Sequence, residues 1–228
     1  MHASARLHVR LYVSTRAAGP CLVVLSVCLA RAASPDLPNV LKNIEKRYNG
    51  AKTLEVAFVE TYRAQGRNRT ESGNLFLHKP GRMRWQYTNP AGKLFVSDGK
   101  NVYFFSPETN RAEKMKLKET EDMRAPMAFL LGRLDFNKDF GEYRTRPEGS
   151  SLSITAVPKS DKMAYREVTF VVAPDSHIER LMVTAQDSSV LDFSFSGEKL
   201  NPPINEQTFR FQLPRGAEFV DSSETPQG

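Results

Sequence analysis

The sequence predicts a mainly β protein of the α+β class, with about eleven antiparallel strands and few helices. Three observations lead to this prediction. The stretch Gly73–Pro107 divides into short apolar runs separated by turn signals, and similar alternating runs return after Gly141. Before the first strand, apolar residues recur every three or four positions, which is the spacing of an amphipathic helix.

Gly73–Pro107 contains four predicted strands in antiparallel succession, with the bounds Gly73–Lys79, Arg82–Thr88, Lys93–Ser97 and Asn101–Ser106. The Asp98-Gly99 pair predicts a hairpin with a type I′ turn, in which both central residues have positive φ. Met83, Trp85 and Tyr87 alternate with polar residues in the second strand, whereas the other three strands are apolar on both faces. We therefore expect an apolar cover on each face of this part of the sheet.

The elements that flank this stretch complete a meander. A Ser34-Pro35 N-cap signal predicts a helix whose apolar side carries Leu37, Val40, Leu41, Ile44 and Tyr48 and which ends at Asn49-Gly50. Thr53–Gln65 and Arg111–Leu117 are predicted strands, and Gly66–Glu71 is a predicted turn. Because the twist of successive strands accumulates, we expect the meander to curl.

The period of the pattern changes after the meander. Met127, Leu130, Leu131 and Leu134 fit one face of a helix, and Pro126 suits its first turn. We predict a short apolar helix over Pro126–Leu134, with a further helical turn over residues 135–140. Methionine adapts to irregular apolar partners, so this helix has the composition of a cover that can leave the sheet.

Five more strands are predicted after Gly141, at Tyr143–Arg146, Ser151–Val157, Arg166–Ala173, Ile178–Gln186 and Val190–Ser196. Asn201-Pro202-Pro203 then breaks the chain, Ile204–Thr208 resembles one helical turn, and Phe209–Leu213 is predicted as the last strand. The chain contains no internal repeat or linker. We therefore expect one mature domain over residues 33–220, followed by a polar tail over residues 221–228.

The first 32 residues have the pattern of a cleaved secretory signal peptide. They hold four arginines and no acidic residue, then an apolar run of about ten residues and a small-residue cleavage site at Ala30-Arg31-Ala32. The run is too short for a permanent transmembrane helix, which needs about 20 residues. Leu25-Ser26-Val27-Cys28 also offers a loose alternative, a lipoprotein processing site with an acylated Cys28.

Charge and cysteine content exclude several functions. The full chain has a net charge of +6, but without the four leader arginines 28 basic residues face 26 acidic ones. Such a balance lacks the basic footprint of a nucleic-acid-binding protein. Both cysteines lie in the leader, at Cys21 and Cys28, so the mature chain has neither a disulfide nor a thiol chemistry.

The mature sequence has no recognisable catalytic or metal-binding constellation. Its two histidines, His78 and His177, are about 100 residues apart and lack metal-type spacing to carboxylates. A nucleophile elbow, a phosphate loop and a dinucleotide fingerprint are all missing. These observations favour a binding protein over an enzyme, so we predict no catalytic residues, no metal and no cofactor.

Several motifs together resemble the LolA family of periplasmic outer-membrane lipoprotein carriers. They are Lys79-Pro80, Trp85, Pro90, Val96-Ser97-Asp98-Gly99-Lys100, Tyr103-Phe104-Phe105 with Pro107, Ala125-Pro126-Met127 and Phe209-x-Phe211-x-x-Pro214-x-Gly216. Their order and spacing carry the resemblance, which extends over most of the mature chain. It implies an incomplete antiparallel β-barrel, with helices that cover its concave side as a lid and enclose an apolar cavity for acyl chains.

The resemblance also implies candidate site residues. The side chains expected to line the cavity and its lid are Phe58, Leu75, Leu77, Met83, Trp85, Leu94, Val96, Tyr103, Phe105, Met127, Phe129, Leu130 and Leu131. In the family, a basic residue before the proline of the first organising strand holds the lid closed through hydrogen bonds to its backbone. Lys79 stands at that position, where family members have arginine. Lysine offers one point charge in place of a planar fork of donors.

The function that the resemblance implies is a soluble, monomeric carrier in the periplasm. Its expected partners are triacylated lipoproteins, an inner-membrane lipoprotein-releasing ABC transporter and an outer-membrane acceptor, with no role for nucleic acid. Two alternatives stay open on sequence alone. One is a binding or sensor protein of the same fold for another amphiphile, and the other is an exported lipid hydrolase.

Overall fold

A computed structural model of the chain describes residues 36–64, 66–117, 134–161 and 163–223. The predicted signal peptide, the predicted helix Pro126–Leu134 apart from Leu134, and the end of the polar tail lie outside these residues. So do four candidate site residues, Met127, Phe129, Leu130 and Leu131. Among the helices that are described, none combines the length and the apolarity needed to cross a membrane.

The first helix, α1, spans Leu37–Gly50 and confirms the predicted amphipathic helix. Asp36 is its N-cap residue, although the Asp36 side chain makes no capping hydrogen bond. Leu41, Ile44 and Tyr48 recur at three and four positions and are buried, because they lie on the stripe that faces the sheet. The predicted end of the helix at Gly50 is also confirmed.

The described strands form a single twelve-stranded sheet, in the order β12-β6-β5-β4-β3-β2-β1-β11-β10-β9-β8-β7. Their bounds are β1 Thr53–Ala64, β2 Arg67–His78, β3 Arg82–Asn89, β4 Ala91–Asp98, β5 Asn101–Ser106, β6 Arg111–Lys116, β7 Phe140–Glu148, β8 Ser151–Pro158, β9 Tyr165–Val172, β10 Ile178–Ala185, β11 Val190–Leu200 and β12 Glu218–Asp221. Because β12 and β7 form its two free edges, the sheet is open, and the predicted mainly β fold with an incomplete barrel is confirmed.

Two turns differ from their predictions. The predicted turn over Gly66–Glu71 is mostly strand, since β2 begins at Arg67 and pairs with β1 from there. Between β4 and β5, Gly99 and Lys100 are the central residues, and φ is positive only at Gly99, at 97°. The predicted type I′ turn, which needs positive φ at both positions, was therefore wrong. Lys100 N and Asn101 N instead donate to Asp98 Oδ1, at 2.8 Å and 2.7 Å.

The C-terminal region also corrects the sequence prediction. Phe209 lies in a 3-10 helix, Glu206–Phe209, and the predicted strand Phe209–Leu213 is not a strand. The last strand is β12, which follows later and pairs with β6 in parallel. Phe211 stacks on Tyr103 with ring centroids 5.0 Å apart. The alternating aromatic residues that predicted a strand therefore pack residues 202–217, the C-terminal segment, against the sheet.

The strand register divides the sheet into two faces. Leu54 of β1 lies opposite Leu77 of β2, and Trp85 of β3 lies opposite both Leu75 of β2 and Phe95 of β4. Directly opposed residues in antiparallel strands point to the same side. We call the face that carries these residues the inner face, because it shares a buried cluster with α1, and the opposite one the outer face.

Candidate functional site

The inner face is a continuous apolar surface that runs across both halves of the sheet. In the meander its buried side chains are Leu54, Val56, Phe58, Leu75, Leu77, Met83, Trp85, Phe95 and Val102. In the second half the same cluster continues through Ile154, Ala156, Val168, Phe170, Val172, Leu181, Val183 and Phe193. Leu41 and Ile44 of α1 belong to this cluster as well. The helix α1 therefore packs on this side of the sheet, and the described residues place no second sheet there.

Aromatic rings occupy the middle of the inner face. Phe58 meets Trp85 edge to face with centroids 4.7 Å apart, and it meets Tyr87 at 5.2 Å. Trp85 also lies 5.7 Å from Phe193 of β11. The indole Nε1 of Trp85 is buried and has no hydrogen-bond partner among the described residues. A buried donor without an acceptor is unfavourable by about 1–3 kcal/mol.

The apolar surface ends at a buried polar cluster on β1 to β4. Glu60 lies opposite Glu71 in the β1–β2 register, and both side chains are buried. Tyr87 Oη donates to Glu60 at 3.1 Å, and Lys93 donates to Glu71 while its Nζ lies 4.3 Å from the centre of the Tyr87 ring. Burial raises the pKa of Glu60 above its usual value, against the lowering effect of the Tyr87 hydrogen bond. The inner face therefore has a charged boundary at this end.

The C-terminal turn of α1 is fixed to the sheet by side chains that meet at Glu198 of β11. Tyr48 Oη donates to Glu198 at 2.7 Å and accepts from the backbone N–H of Ile178 at 2.8 Å. Arg47 Nη2 reaches the other Glu198 oxygen at 2.6 Å. The Arg47 cation and the Tyr48 hydroxyl together offset the negative charge of the Glu198 carboxylate. Charge-assisted hydrogen bonds therefore hold the end of α1 to β11, and the bond from Ile178 N holds it to β10.

Lys79, the predicted latch, also contacts α1. Its Nζ donates to the backbone carbonyl of Tyr48, in the last turn of the helix. Burial lowers the pKa of Lys79. The resemblance predicts that Lys79 acts on the backbone of the lid helix, and that predicted helix lies outside the described residues apart from Leu134. Within the described residues, Lys79 and the backbone N–H of Ala51 both donate to the Tyr48 carbonyl at the C-terminal end of α1, a position that favours a cation.

The chain that follows residue 133 is pinned to the same helix. Asn49 Nδ2 donates to the Leu134 carbonyl at 2.8 Å, and Leu134 N donates back to Asn49 Oδ1 at 3.2 Å. Phe136 N donates to Glu45 Oε1 at 2.8 Å. Phe136 begins α2, Phe136–Asp139, which confirms the helical turn predicted over residues 135–140. These bonds place α2 beside α1.

A cavity of about 500 Å³ opens between α1 and α2. Its apolar lining includes Leu37, Leu41, Phe136 and Tyr143. Most of the side-chain hydrogen bonds that hold α1 lie toward its other end, at Arg47, Tyr48 and Asn49, and Glu45 at the cavity wall accepts from Phe136 N. The N-terminal half of α1 therefore borders this cavity, while its C-terminal half carries most of the bonds to the sheet.

The candidate site residues of the meander fall on two faces. Phe58, Leu75, Leu77, Met83 and Trp85 share the inner face. The remaining candidates in the described part of the meander lie on the outer face, because they oppose residues such as Arg84 and Gln86; they are Leu94, Val96, Tyr103 and Phe105. The structure does not bring these two sets together.

Several residues of the site were missed in the sequence. Tyr48, Asn49 and Glu45 were assigned only to a helix, since their long-range partners cannot be deduced from local spacing. Phe193 and Phe170 contribute to the inner face, and their alternation in predicted strands was a signal that could have placed them there. Among the described residues, no group of three or more His, Cys, Asp or Glu side chains is arranged to hold a metal.

A comparison with models of protein families identifies the family of this chain. The model of the outer membrane lipoprotein carrier protein LolA matches residues 49–212. The chain belongs to the LolA family. The members of this family are carrier proteins and not enzymes. The matched range includes every strand of the meander and the whole of β7 to β11.

Similar proteins are found in several bacteria. An outer-membrane lipoprotein carrier protein of Nitrosomonas europaea is 24% identical over 201 residues, which cover 87% of this chain and 96% of the relative. One from Sodalis glossinidius is 26% identical, covering 87% of this chain and 97% of the relative. The crystal structure of a LolA superfamily protein from N. europaea covers 76% of this chain and 97% of its own, with 9% identity and a TM-score of 0.42.

Proposed function

We propose that this chain is a periplasmic carrier that binds the acyl chains of lipoproteins in an apolar cavity on the inner face. It receives them from an inner-membrane transporter and moves them to the outer membrane. Its membership in the LolA family carries this proposal. The continuous apolar inner face, covered by α1, supports it.

Transport of acyl chains through water requires a buried apolar surface. Each methylene exposed to water is unfavourable by about 0.8 kcal/mol, so a cargo with several acyl chains must be shielded completely. A helix can separate from a sheet without breaking the strand ladder, whereas a second sheet would have to be unpacked as a whole. The cover of the inner face by helix is consistent with a cavity that opens for cargo.

Release without an energy source of its own requires a moderate affinity. When empty, the apolar cover packs against the inner face and competes with the cargo for the same surface. The bonds of α1 are concentrated at Arg47, Tyr48 and Asn49, next to Lys79. We propose that this fixed end holds the helix while acyl chains enter from the cavity beside Leu41.

The proposed binding residues are those that share the inner face, namely Phe58, Leu75, Leu77, Met83 and Trp85, with the apolar side chains of residues 127–131 as part of the cover. Lys79 is proposed as the latch between the rim of the sheet and the cover. Residues 1–32 are proposed as a cleaved signal peptide that directs the chain to the periplasm. The cargo is proposed to be triacylated lipoprotein, taken from an ABC transporter.

The single tryptophan makes this proposal directly measurable, because Trp85 lies on the inner face. Titration of the mature protein with a synthetic tripalmitoylated lipopeptide should change Trp85 fluorescence in a saturable way. The mature protein should also release lipoproteins from inner-membrane vesicles that contain the transporter. An unchanged emission spectrum together with no release would refute the carrier function.

Two buried residues on opposite faces provide matched variants. Leu75 on the inner face and Val96 on the outer face are both 0% exposed, so truncation of either to alanine leaves a cavity and lowers stability. Only Leu75→Ala should weaken the lipopeptide affinity, since Val96 does not face the proposed cavity. Equal loss of affinity in both variants would show that the effect is one of stability alone.

A pull-down from periplasm should recover many lipoproteins for a carrier and a single partner for a sensor.

A further inference from the structure

A second cavity lies on the outer face, away from the proposed acyl-chain site. It has a volume of about 740 Å³ and is bounded by strands β1 to β4 on one side and by the C-terminal segment on the other. Phe76, Leu94 and Ile204 supply apolar surface to this groove, which we call the outer groove. Phe76 lies opposite Arg84, and Arg84 opposite Val96, in the strand register. The outer groove is therefore separated from the inner face by the sheet itself.

The hydrogen-bond partners of the Arg84 guanidinium among the described residues of the outer groove are neutral. Its Nε donates to Gln86 Oε1 at 3.0 Å, and its Nη1 donates to the backbone carbonyl of Thr208 at 3.3 Å. Among the described residues no carboxylate lies within 4.0 Å of it, and its Nη2 makes no hydrogen bond. Burial lowers the pKa of Arg84, and no acidic group in the described part of the chain offsets the effect.

The acidic residues around the outer groove are already engaged elsewhere. Glu55 lines it but accepts a hydrogen bond from Lys199 at 2.8 Å. Glu206 accepts from Arg82 at 2.9 Å and also interacts electrostatically with Arg210. A second arginine, Arg210, also lines the groove and forms no ion pair with a described residue. The groove therefore carries an excess positive charge, part of which is removed from water.

A desolvated cation without a counter-ion is unfavourable, and an anion in the outer groove would offset that cost. Arginine binds phosphate through parallel N–H donors more effectively than a point charge does. The carboxamides of Gln86, Gln207 and Gln212 also line the groove and can donate further hydrogen bonds. The apolar side chains on its floor match an apolar substituent next to the charged group.

We propose that the outer groove binds an organic phosphate whose phosphate group contacts Arg84 and Arg210 and whose apolar substituent lies on Phe76 and Leu94. The same chemistry is offered by an anionic lipid headgroup and, without the apolar part, by free phosphate. Binding in the outer groove is independent of binding on the inner face, so a variant can lose one of these two binding activities and keep the other.

The test uses the mature protein, labelled for NMR, with three probes: inorganic phosphate, dihexanoyl phosphatidylglycerol and dihexanoylglycerol. We expect the first two to shift the Arg84 Nε–H and Gln86 amide signals, and the uncharged third to leave them unchanged. Tighter binding of the phospholipid identifies a lipid headgroup as the natural type of ligand, whereas equal binding would overturn the contact of an apolar substituent with Phe76 and Leu94 and leave a site for free phosphate. Absence of shifts with both anions at millimolar concentration would overturn the proposal.

Variants separate this site from general surface charge. Arg84→Gln should weaken the binding of the anion by about tenfold or more, because it removes a charge-assisted hydrogen bond. Arg210→Gln replaces an exposed residue, so it tests the groove even if Arg84→Gln folds poorly. Arg166→Gln, exposed on β9 and five strands from β3, should leave binding unchanged. If the three variants bind phosphate equally, the assignment to the groove is wrong, while lipopeptide-dependent Trp85 fluorescence still reports on the inner face.

Discussion

Replacement of Tyr48 with phenylalanine removes one hydroxyl from the point where α1 meets β10 and β11. The side chain is 3% exposed, and the phenylalanine ring fills the same space. The hydroxyl donates to Glu198 at 2.7 Å and accepts from Ile178 N at 2.8 Å. The variant therefore removes two hydrogen bonds without creating a large cavity.

The expected cost follows from these two bonds. A hydrogen bond to a charged group contributes about 1.5–3 kcal/mol, and a buried N–H left without its acceptor costs about 1–3 kcal/mol. Arg47 still compensates Glu198 at 2.6 Å, so we take the lower part of both ranges. The free energy of unfolding should fall by about 3 kcal/mol, which corresponds to a decrease in Tm of about 6–12 °C for a domain of this size.

Urea unfolding followed by Trp85 fluorescence and circular dichroism measures this change at neutral pH. Tyr103→Phe is the matched control, because its hydroxyl makes an exposed contact of 3.5 Å with Asp98; its unfolding free energy should change by less than about 0.5 kcal/mol. A loss below about 1 kcal/mol in Tyr48→Phe would refute the idea that the phenol fixes α1. In the lipopeptide titration, a loosened α1 should raise the apparent affinity, since the empty cover competes less well.

Three further outcomes are expected. Gly73→Ala should lower the free energy of unfolding in urea by several kcal/mol, because the new Cβ would lie 2.2 Å from the Gln86 carbonyl oxygen. Gly50→Ala should be neutral or stabilising, because no heavy atom lies within 4 Å of its new Cβ. Similar effects of the two variants would contradict the predicted clash. The raised pKa of Glu60 means that its contribution to stability is complete below the unfolded pKa and is lost as pH rises through the folded pKa. Glu60→Gln should therefore flatten the decline of stability above about pH 4.5, and an unchanged pH profile would contradict it. Lys79→Leu removes the donor to the end of α1. Lipoproteins should still bind to this variant, while their transfer to outer-membrane acceptors becomes slower. Normal transfer would exclude Lys79 as the latch.

Most of the sheet could be predicted because its signals are local. Alternation and turn residues placed β3, β5 and β6 within one or two residues of their observed bounds. The type of the β4–β5 turn was predicted wrongly, since Asp98 caps this turn with its side chain instead of occupying its centre. The strand predicted at Phe209–Leu213 failed because alternating aromatic residues also suit an irregular segment whose rings pack against a sheet.

The candidate site could be predicted only in part. Three strands of the meander were predicted to be apolar on both faces, and the structure shows which element packs on each face. α1 lies on the inner face, and the C-terminal segment lies on the outer one, where Phe211 stacks on Tyr103. Leu94 and Val96 were assigned to the cavity because a strand with two apolar faces does not reveal which face the helix covers.

The amino-acid sequence by itself determined the strands, the amphipathic helix, the absence of an evident catalytic motif and the resemblance to a family of carriers. Spacing and turn chemistry act over a few residues, so these features are encoded locally. Only the tertiary structure decided which apolar side chains share a face, how Tyr48 and Glu198 fix α1, and that Arg84 has neutral partners among the described residues. These features depend on contacts between residues far apart in the chain, such as Tyr48 and Glu198, and no local sequence pattern predicts such contacts.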